Sequence, residues 1–421
     1  MKQPLDTQNP AEKLFLVYIN EDESQDEYVE QELEGLVEAA GGEVVGSARQ
    51  RLSKPFRGSY LGSGKVEEIT AYAAETGAEG IVVDTELSGI QIRNLEEATK
   101  KRVLDRTQLI LDIFASRART REGQLQVELA QYSYMLPRLM SVYTKFERQR
   151  GGIGMRGPGE TKLEADRRMV TNRIAALREE IEEVKQHRQV QREGRSRNAF
   201  PVAAIIGYTS AGKSTLMNRL CQTELLADDM PFATLDPTTR KLELPDGFSI
   251  FLSDTVGFIR NLPTQLVAAF RATLEELTEA DFLIHVIDVG HPEWEIQRDA
   301  VLETITELGA DGKPTLTVFN KIDNLDDDAE ATRLVADWPD SVAISAKTGA
   351  GLNDLYTHLA RFGRAHLKNI QALVPYTESG LVEYAHRQGR VITEEYRDEG
   401  IYLEAEASEE LKERLAPFLT Q

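Results

Sequence analysis

The sequence predicts a multidomain protein of the α/β class. Its 421 residues exceed what one hydrophobic core usually holds, and this length predicts about three domains. Apolar runs of strand length alternate with helical patterns over residues 13–113 and again after residue 199, as is typical of mainly parallel sheets covered by helices. We predict an N-terminal α/β domain (1–115), an antiparallel helical hairpin (116–197), a second α/β domain (198–367) and a small C-terminal α+β domain (368–421).

The N-terminal domain is predicted to contain four strands and three helices. The strands are 14–19, 43–47, 80–83 and 108–111, and the helices are 27–40, 64–76 and 90–101. Gly62-Ser63-Gly64-Lys65 resembles a phosphate loop, but Ser59 replaces its first glycine and Val66 replaces its last hydroxyl. A turn that begins helix 64–76 is the favoured interpretation, and a second nucleotide site is the alternative.

The helical segment 116–195 is interrupted at Pro137 and at the glycine-rich stretch 151–159. Apolar residues recur at helical spacing on both sides, which predicts two long antiparallel helices with the glycines at their tip. Tyr143 and Phe146 lie near the tip and could stack on bases. Basic residues flank it: Lys145, Arg148, Arg150, Arg156, Lys162, Arg167 and Arg168. We expect the tip to contact RNA, and the basic residues on the helix bodies to form a solvated face.

Charge is distributed unevenly along the chain. The formal net charge of −21 argues, by itself, against a nucleic-acid partner. Residues 100–197, however, carry 22 Lys and Arg against 13 Asp and Glu, whereas the remainder carries 27 against 57. A basic segment within an acidic protein fits an RNA-contacting hairpin.

Composition limits the compartment. Cys221 is the only cysteine, so an intramolecular disulfide is impossible and a reducing cytosol is expected. No stretch approaches the roughly 20 apolar residues of a membrane helix, and residues 1–12 have no apolar core of a signal peptide. We therefore expect a cytoplasmic monomer without a membrane partner.

A complete phosphate-loop motif lies in the second α/β domain. Residues 207–214 follow the apolar run 202–206 and precede a helical pattern, so a strand delivers the loop and a helix N-terminus faces the phosphates. Lys213 is expected to reach the β- and γ-phosphates, and Ser214 is expected to bind Mg²⁺. All eight residues of the motif are predicted to bind nucleotide: Gly207, Tyr208, Thr209, Ser210, Ala211, Gly212, Lys213 and Ser214.

Three further motifs follow in order, each after a strand pattern. Asp254-Thr255-Val256-Gly257 would hold a water on Mg²⁺ through Asp254 and offer the Gly257 N–H to the γ-phosphate.

In Asn320-Lys321-Ile322-Asp323, the Asp323 carboxylate can accept from N1–H and the exocyclic amine of guanine, which adenine cannot match. Lys321 would lie along the base, and Asn320 would tie this loop to the phosphate loop. Ser345-Ala346-Lys347 would offer a backbone N–H to the guanine O6. Together these motifs predict a Ras-like P-loop GTPase domain that uses GTP, GDP and Mg²⁺.

The segment between the first two motifs should sense the γ-phosphate. We predict nucleotide contacts for Phe232, Ala233, Thr234, Leu235 and Asp236. Three threonines, 234, 238 and 239, compete for the metal, and spacing alone does not separate them.

The residue after Gly257 departs from the Ras-like pattern. A glutamine commonly orients the attacking water there, whereas this chain has Phe258, whose ring has no hydrogen-bonding atom. We therefore expect slow hydrolysis by the protein alone, with Lys213, Gly257 and one of the three competing threonines as its catalytic groups and a partner that completes the reaction.

These motifs resemble the HflX family of ribosome-associated translational GTPases over nearly the whole chain. Besides the phosphate loop, the resemblance rests on residues 232–240, 254–259, 157–164 and 108–114. It implies that Thr234 joins Ser214 as a metal ligand. It also implies binding to the large ribosomal subunit, a tip directed at ribosomal RNA, and GTP-dependent splitting of stalled ribosomes under stress. Ser210 stands where the family usually has Asn, which argues against stimulation by potassium.

Two other functions fit parts of the sequence. One is a nucleotide-dependent RNA remodeller or ribosome-assembly factor with a second nucleotide site in the N-terminal domain. The other is an assembly scaffold in which GTP only stabilises the fold.

Overall fold

The computed structural model describes most of the chain. The described residues are 11–19, 26–52, 54–149, 158–193, 200–221, 230–232, 234–235, 238–260, 277–365, 367–388, 390–407 and 409–420. Contacts divide them into two compact units. The first holds the described residues up to Ile181 together with Met230–Phe232, and the second holds the rest. Among these residues, no helix combines the length and apolar character needed to cross a bilayer.

The first unit is built on a four-stranded sheet. Its strands are β1 (Lys13–Ile19), β2 (Glu43–Gln50), β3 (Gly80–Val83) and β4 (Arg102–Asp105), and its helices are α1 (Asp26–Ala39), α2 (Ser63–Glu75), α3 (Gly89–Thr99) and α4 (Arg106–Arg117). The strand order is β2-β1-β3-β4, and every pairing is parallel. The mainly parallel sheet predicted for this domain is confirmed.

The predicted strand at 108–111 is wrong. This apolar run lies in helix α4, and the fourth strand is the segment β4 just before it. The Asp105 carboxylate accepts the N–H of Gln108 and so caps the helix. Because α4 is buried on several sides, its sequence lacks the polar face that distinguishes an amphipathic helix from a buried strand.

Two long helices, α5 (Arg121–Gln149) and α6 (Pro158–Glu193), form the hairpin. They are antiparallel, since Arg121 pairs with Glu180 at 2.7 Å while Arg173 pairs with Glu128 at 2.8 Å. Residues 150–157, including Arg150 and Arg156, lie outside the described residues, as do the side chains of 140–163; the basic tip stays a prediction.

The predicted interruption at Pro137 is wrong, because α5 continues through it. The residues around the proline are anchored to one buried carboxylate. Tyr134 donates to Asp105 at 2.8 Å, and Arg138 pairs with Asp105 at 3.1 Å. These contacts offset the loss of one helical hydrogen bond.

The second unit contains a six-stranded sheet of order β10-β9-β8-β5-β7-β6. Its strands are β5 (Val202–Gly207), β6 (Thr238–Glu243), β7 (Ser249–Asp254), β8 (Phe282–Asp288), β9 (Thr315–Asn320) and β10 (Ser341–Ala343). Its helices are α7 (Lys213–Cys221), α8 (Trp294–Glu307), α9 (Asp328–Asp337) and α10 (Leu352–Ala365). All pairings are parallel except that of the edge strand β6, which runs antiparallel to β7. The sequence did not predict β6, because its polar residues are mostly exposed.

The C-terminal part of this unit has an antiparallel sheet of order β11-β13-β12. The strands are β11 (Lys368–Val374), β12 (Arg390–Arg397) and β13 (Gly400–Ala407), and the helices are α11 (Gly380–Gln388) and α12 (Glu409–Leu415). The predicted α+β character is confirmed.

Candidate nucleotide-binding site

The phosphate loop follows strand β5, which lies between β7 and β8 in the sheet. Two of its glycines are required by close contacts. Gly207 has φ +152°, and a Cβ there would lie 2.3 Å from the Val286 carbonyl oxygen. Gly212 has φ +91°, and a Cβ there would lie 2.3 Å from the Asn320 amide nitrogen. The loop therefore passes too close to its neighbours for any side chain at these positions.

Lys213 is buried at the base of this loop. Its ammonium donates to the carbonyls of Gly207 at 3.0 Å and Tyr208 at 2.7 Å. Burial lowers the pKa of Lys213 to about 8, and the nearby Asp254 charge acts in the opposite direction. The side chain is thus fixed in place and still mostly protonated at neutral pH, as a phosphate-binding group must be.

Ser214, Thr234 and Asp254 meet beside this lysine. The Ser214 hydroxyl lies 2.9 Å from the Thr234 hydroxyl and donates to one Asp254 carboxylate oxygen at 3.1 Å. The other Asp254 oxygen is buried and accepts no hydrogen bond of ordinary geometry among the described residues. An all-oxygen set with an unsatisfied carboxylate oxygen suits the preference of Mg²⁺.

This cluster separates the three competing threonines. Thr234 contacts Ser214, whereas Thr238 and Thr239 lie in strand β6. Burial raises the pKa of Asp254, although Lys213 and Ser214 oppose that shift.

Asn320 joins its own loop and the loop at Ser345–Lys347 to the phosphate loop. Its side-chain amide donates to the Ala211 carbonyl at 2.8 Å, and its side-chain oxygen accepts the Ala346 N–H at 3.0 Å. The predicted tie between Asn320 and the phosphate loop is confirmed. The same residue also orders the loop that contains Ser345, Ala346 and Lys347.

The remaining residues of this motif, Lys321, Ile322 and Asp323, form a turn directly after Asn320. Lys321 adopts φ +64° and pairs with Asp288 at 2.7 Å. Ile322 and Asp323 lie in a short 3-10 turn, where the Asp323 carboxylate is exposed. Asp288 was not predicted from the sequence, although its position at the end of strand β8 was a usable signal.

The segment after Asp254 passes close to the phosphate loop. Thr255 donates to the Ile205 carbonyl at 2.6 Å, and Val256 is buried. Gly257 approaches Lys213 so closely that a Cβ would lie 3.1 Å from the ammonium.

Phe258 is 3% exposed, so its ring is turned into the protein interior. Neither its position nor its chemistry allows the ring to orient a water at the nucleotide.

The segment between the first two motifs is only partly described. Leu235 is buried. Ala233 and Asp236, both predicted nucleotide contacts, lie outside the described residues. The ring of Phe232 belongs to the first compact unit, where it packs edge-to-face on Phe114 with ring centres 4.6 Å apart.

The Gly62–Lys65 sequence behaves as the start of a helix. Gly62 is the N-cap of α2, Lys65 pairs with Glu68 at 2.7 Å, and Val66 is buried in the core. These contacts favour the helix-start interpretation over a second nucleotide site.

A phosphate loop on a central strand, a hydroxyl–carboxylate cluster beside its lysine, and an Asn-Lys-Ile-Asp loop tied to it define a P-loop GTPase. Family models match three consecutive segments. Their descriptions are "GTP-binding GTPase N-terminal" for 27–115, "GTP-binding GTPase Middle Region" for 117–195 and "50S ribosome-binding GTPase" for 202–321.

Similar proteins cover nearly all of the chain. GTPase HflX of Lacrimispora saccharolytica is 46% identical over 417 residues, which is 99% of this chain and 98% of that protein. GTPase HflX of Escherichia coli is 44% identical over 355 residues, which is 84% of this chain and 83% of that protein. This chain belongs to the HflX family of GTPases. It binds guanine nucleotides and hydrolyses GTP.

Solved structures with a similar fold include a GTP-binding protein of Sulfolobus solfataricus in complex with GDP. It is 26% identical and covers 84% of this chain and 99% of its own, with a TM-score of 0.46.

Proposed function

We propose that this GTPase binds the large ribosomal subunit and hydrolyses GTP in a ribosome-stimulated manner, and that it splits stalled ribosomes under stress. It would act as a monomer in the cytoplasm. The description of the family model over 202–321 supports the choice of subunit.

Phe258 carries the proposal that a partner completes catalysis. Its ring is buried and has no polar atom, so this position supplies nothing that could align water. A GTPase built in this way gains rate when another molecule supplies the missing group or reorganises the segment around it. The scaffold alternative provides no reason for a site with a pre-formed cluster beside Lys213.

Ser214 and Thr234 are the proposed Mg²⁺ ligands, with Asp254 beside them holding a metal-bound water. Their hydroxyls already lie 2.9 Å apart, and one buried Asp254 oxygen has no hydrogen-bond partner within the part of the chain that the structure describes. A bound Mg²⁺ would neutralise charge on the phosphate oxygens. Lys213 and the backbone N–H groups of the loop would hold those oxygens in place.

The hairpin supplies the proposed RNA contact. The segment 100–197 is basic within an otherwise acidic chain, and its glycine-rich stretch permits close approach of backbone to RNA. Pairs such as Arg173 with Glu128 hold the two helices together, so arginines on the helix bodies already have a structural role. The basic residues near the tip are the ones expected to meet phosphates.

Co-sedimentation with purified large subunits tests the proposal. With a GTP analogue bound, the triple variant Arg148→Glu, Arg150→Glu and Arg156→Glu should bind more weakly, and its affinity should depend less steeply on salt. GTP affinity should not change, because the substitutions lie in a different domain.

The control carries the same change of charge elsewhere. Lys54→Glu, Arg57→Glu and Arg178→Glu alter exposed residues outside the tip. Equal loss of binding in both triple variants would reduce the effect to net charge, and wild-type binding by the tip variant would refute the contact.

A further inference from the structure

The first residues after Gly257 are paired with the phosphate loop itself. The Phe258 N–H donates to the Gly207 carbonyl at 3.1 Å, and the Phe258 carbonyl accepts the Thr209 N–H at 2.7 Å. These two hydrogen bonds form an isolated parallel β-bridge between Tyr208 and Phe258. The segment 257–260, which should sense the γ-phosphate, is therefore hydrogen-bonded to the phosphate loop, which should bind it.

The side chain of Tyr208 adds a third bond to this arrangement. Its hydroxyl accepts the N–H of Arg260 at 2.8 Å, and the residue is 4% exposed. Its own carbonyl accepts from the Lys213 ammonium at 2.7 Å. One residue of the phosphate loop thus contacts both the phosphate-binding lysine and the end of the segment 257–260.

Gly257 is held near Lys213 by these contacts. The backbone hydrogen bonds of Phe258 fix the residue that follows Gly257. The hydrogen bond from the Arg260 N–H to Tyr208 stabilises that pairing from the next residues of the chain. In this position Gly257 lies so close to the ammonium that should bind the γ-phosphate that a Cβ would be 3.1 Å from it.

We propose that Tyr208 is a positioning residue for the triphosphate: its hydroxyl keeps 257–260 against the phosphate loop and thereby favours GTP over GDP. GDP has no γ-phosphate for Gly257 to meet, so its binding does not require the segment to be ordered. GTP binding requires an ordered segment 257–260. A segment that is already ordered before GTP binds loses less conformational entropy on binding than a disordered one. Tyr208 would act in this way whether or not the protein binds ribosomes.

Tyr208→Phe in the full-length protein tests this role, because the ring remains and only the hydroxyl is lost. The affinity for a non-hydrolysable GTP analogue should fall about 3- to 10-fold, as expected for one hydrogen bond. The affinity for GDP should stay within about twofold. Hydrogen exchange at the Arg260 amide should become faster.

Tyr134→Phe is the matched control. That tyrosine is also buried, and its hydroxyl donates to Asp105 in the first unit. It should lower thermal stability and leave the ratio of GTP-analogue to GDP affinity unchanged.

Three results would overturn the proposal. Equal weakening of GTP-analogue and GDP binding by Tyr208→Phe would indicate a merely structural role. An unchanged ratio with unchanged exchange at Arg260 would show that the hydroxyl does nothing. In the wild-type protein, weaker protection of the Arg260 amide with the GTP analogue than with GDP would mean that the contact opens for the triphosphate.

Discussion

Asn320 connects two loops of the nucleotide site through its side chain. It is 1% exposed and bonds both the phosphate loop and the Ser345–Lys347 loop. In Asn320→Ala, the Ala211 carbonyl and the Ala346 N–H would lose these partners, at about 1–3 kcal/mol each. We expect GTP and GDP affinities to fall together by about 10- to 100-fold in a titration with a fluorescent nucleotide.

Asn353→Ala provides the comparison, because it removes an exposed asparagine from helix α10 of the same unit. An Asn320→Ala protein that binds both nucleotides like this control would contradict the role assigned to the tie.

Asp323 should determine which base is bound. Its carboxylate is exposed, as a group that reads a ligand must be. Asp323→Asn places an amide where the carboxylate accepted from guanine, and that amide can donate to the C2 carbonyl of xanthine. Competition between GTP and XTP should shift toward XTP, and unchanged selectivity would show that Asp323 does not read the base.

Phe258 requires a conservative test because its ring is buried. Phe258→Ala would leave a cavity and destabilise the unit by about 3–5 kcal/mol, which would obscure any effect on catalysis. Phe258→Leu keeps much of the apolar volume. It should leave the slow intrinsic rate nearly unchanged, because the ring cannot orient water. A hundredfold loss of intrinsic hydrolysis with intact GTP affinity would give the ring a direct positional role.

His285 makes the second unit sensitive to acid. Burial lowers its pKa to about 3, helped by the charges of Arg298 and Lys213, and its Nε2 has no hydrogen-bonding partner among the described residues. The unfolded histidine binds a proton below about pH 6.5, whereas the folded one does not. Stability is therefore full above pH 6.5 and falls as the pH drops from 6.5 toward 3.

His285→Leu should remove this part of the pH dependence. Between pH 7 and pH 5 the wild-type protein should lose about 2 kcal/mol more than the variant in denaturant unfolding. Parallel stability curves for the two proteins would refute a buried neutral histidine.

Among single residues, the sequence was enough to predict roles for Ser214, Lys213 and Asp323, because those roles require particular side chains at particular spacings. Thr234 could not be separated from its neighbours by spacing. The bond from Tyr208 to Arg260 could not be predicted, because its donor is a backbone N–H that any residue would provide.

At the scale of helices and strands, Asp105 ties three elements of the first unit together. Its carboxylate caps α4 through Gln108, accepts the Leu87 N–H at 3.0 Å, and binds Tyr134 and Arg138 of α5. Asp105→Ala would remove this acceptor from the Leu87 and Gln108 N–H groups and from the Tyr134 hydroxyl, whereas Arg138 would keep the Leu87 carbonyl as an acceptor. We expect a loss of about 3–5 kcal/mol, measured by thermal or denaturant unfolding.

Glu75→Ala, which removes an exposed carboxylate at the end of α2, should change stability by less than about 0.5 kcal/mol. If Asp105→Ala were equally mild, the buried carboxylate would not be what attaches the hairpin to the sheet.

Periodicity predicted most elements within a few residues, and the errors have physical causes. The run 108–111 was assigned to a strand because α4 is buried on several sides and lacks a polar face. Strand β6 was missed because its residues are polar and largely exposed, and only its backbone pairing with β7 makes it a strand. Helix α5 passes Pro137 because of tertiary contacts that no local signal reveals.

At the scale of the whole molecule, two features indicate separate roles for its parts: the uneven distribution of charge along the chain, and Phe258 at the position where a water-orienting group is expected. Because the acidic remainder of the chain would repel RNA, we expect the basic segment 100–197 to be the part that approaches the ribosome. We predicted the order of the domains from the spacing of motifs. The partner that we propose to complete the reaction lies outside this chain, so the sequence holds no signal for it.

GTP hydrolysis by the full-length protein under single-turnover conditions, with and without purified large ribosomal subunits, tests this account most directly. The protein alone should hydrolyse GTP far below the roughly 1–100 s⁻¹ typical of kinases, and large subunits should raise the rate by orders of magnitude. A high rate for the protein alone, or an unchanged rate with saturating large subunits, would contradict the proposal that the ribosome completes its catalytic site.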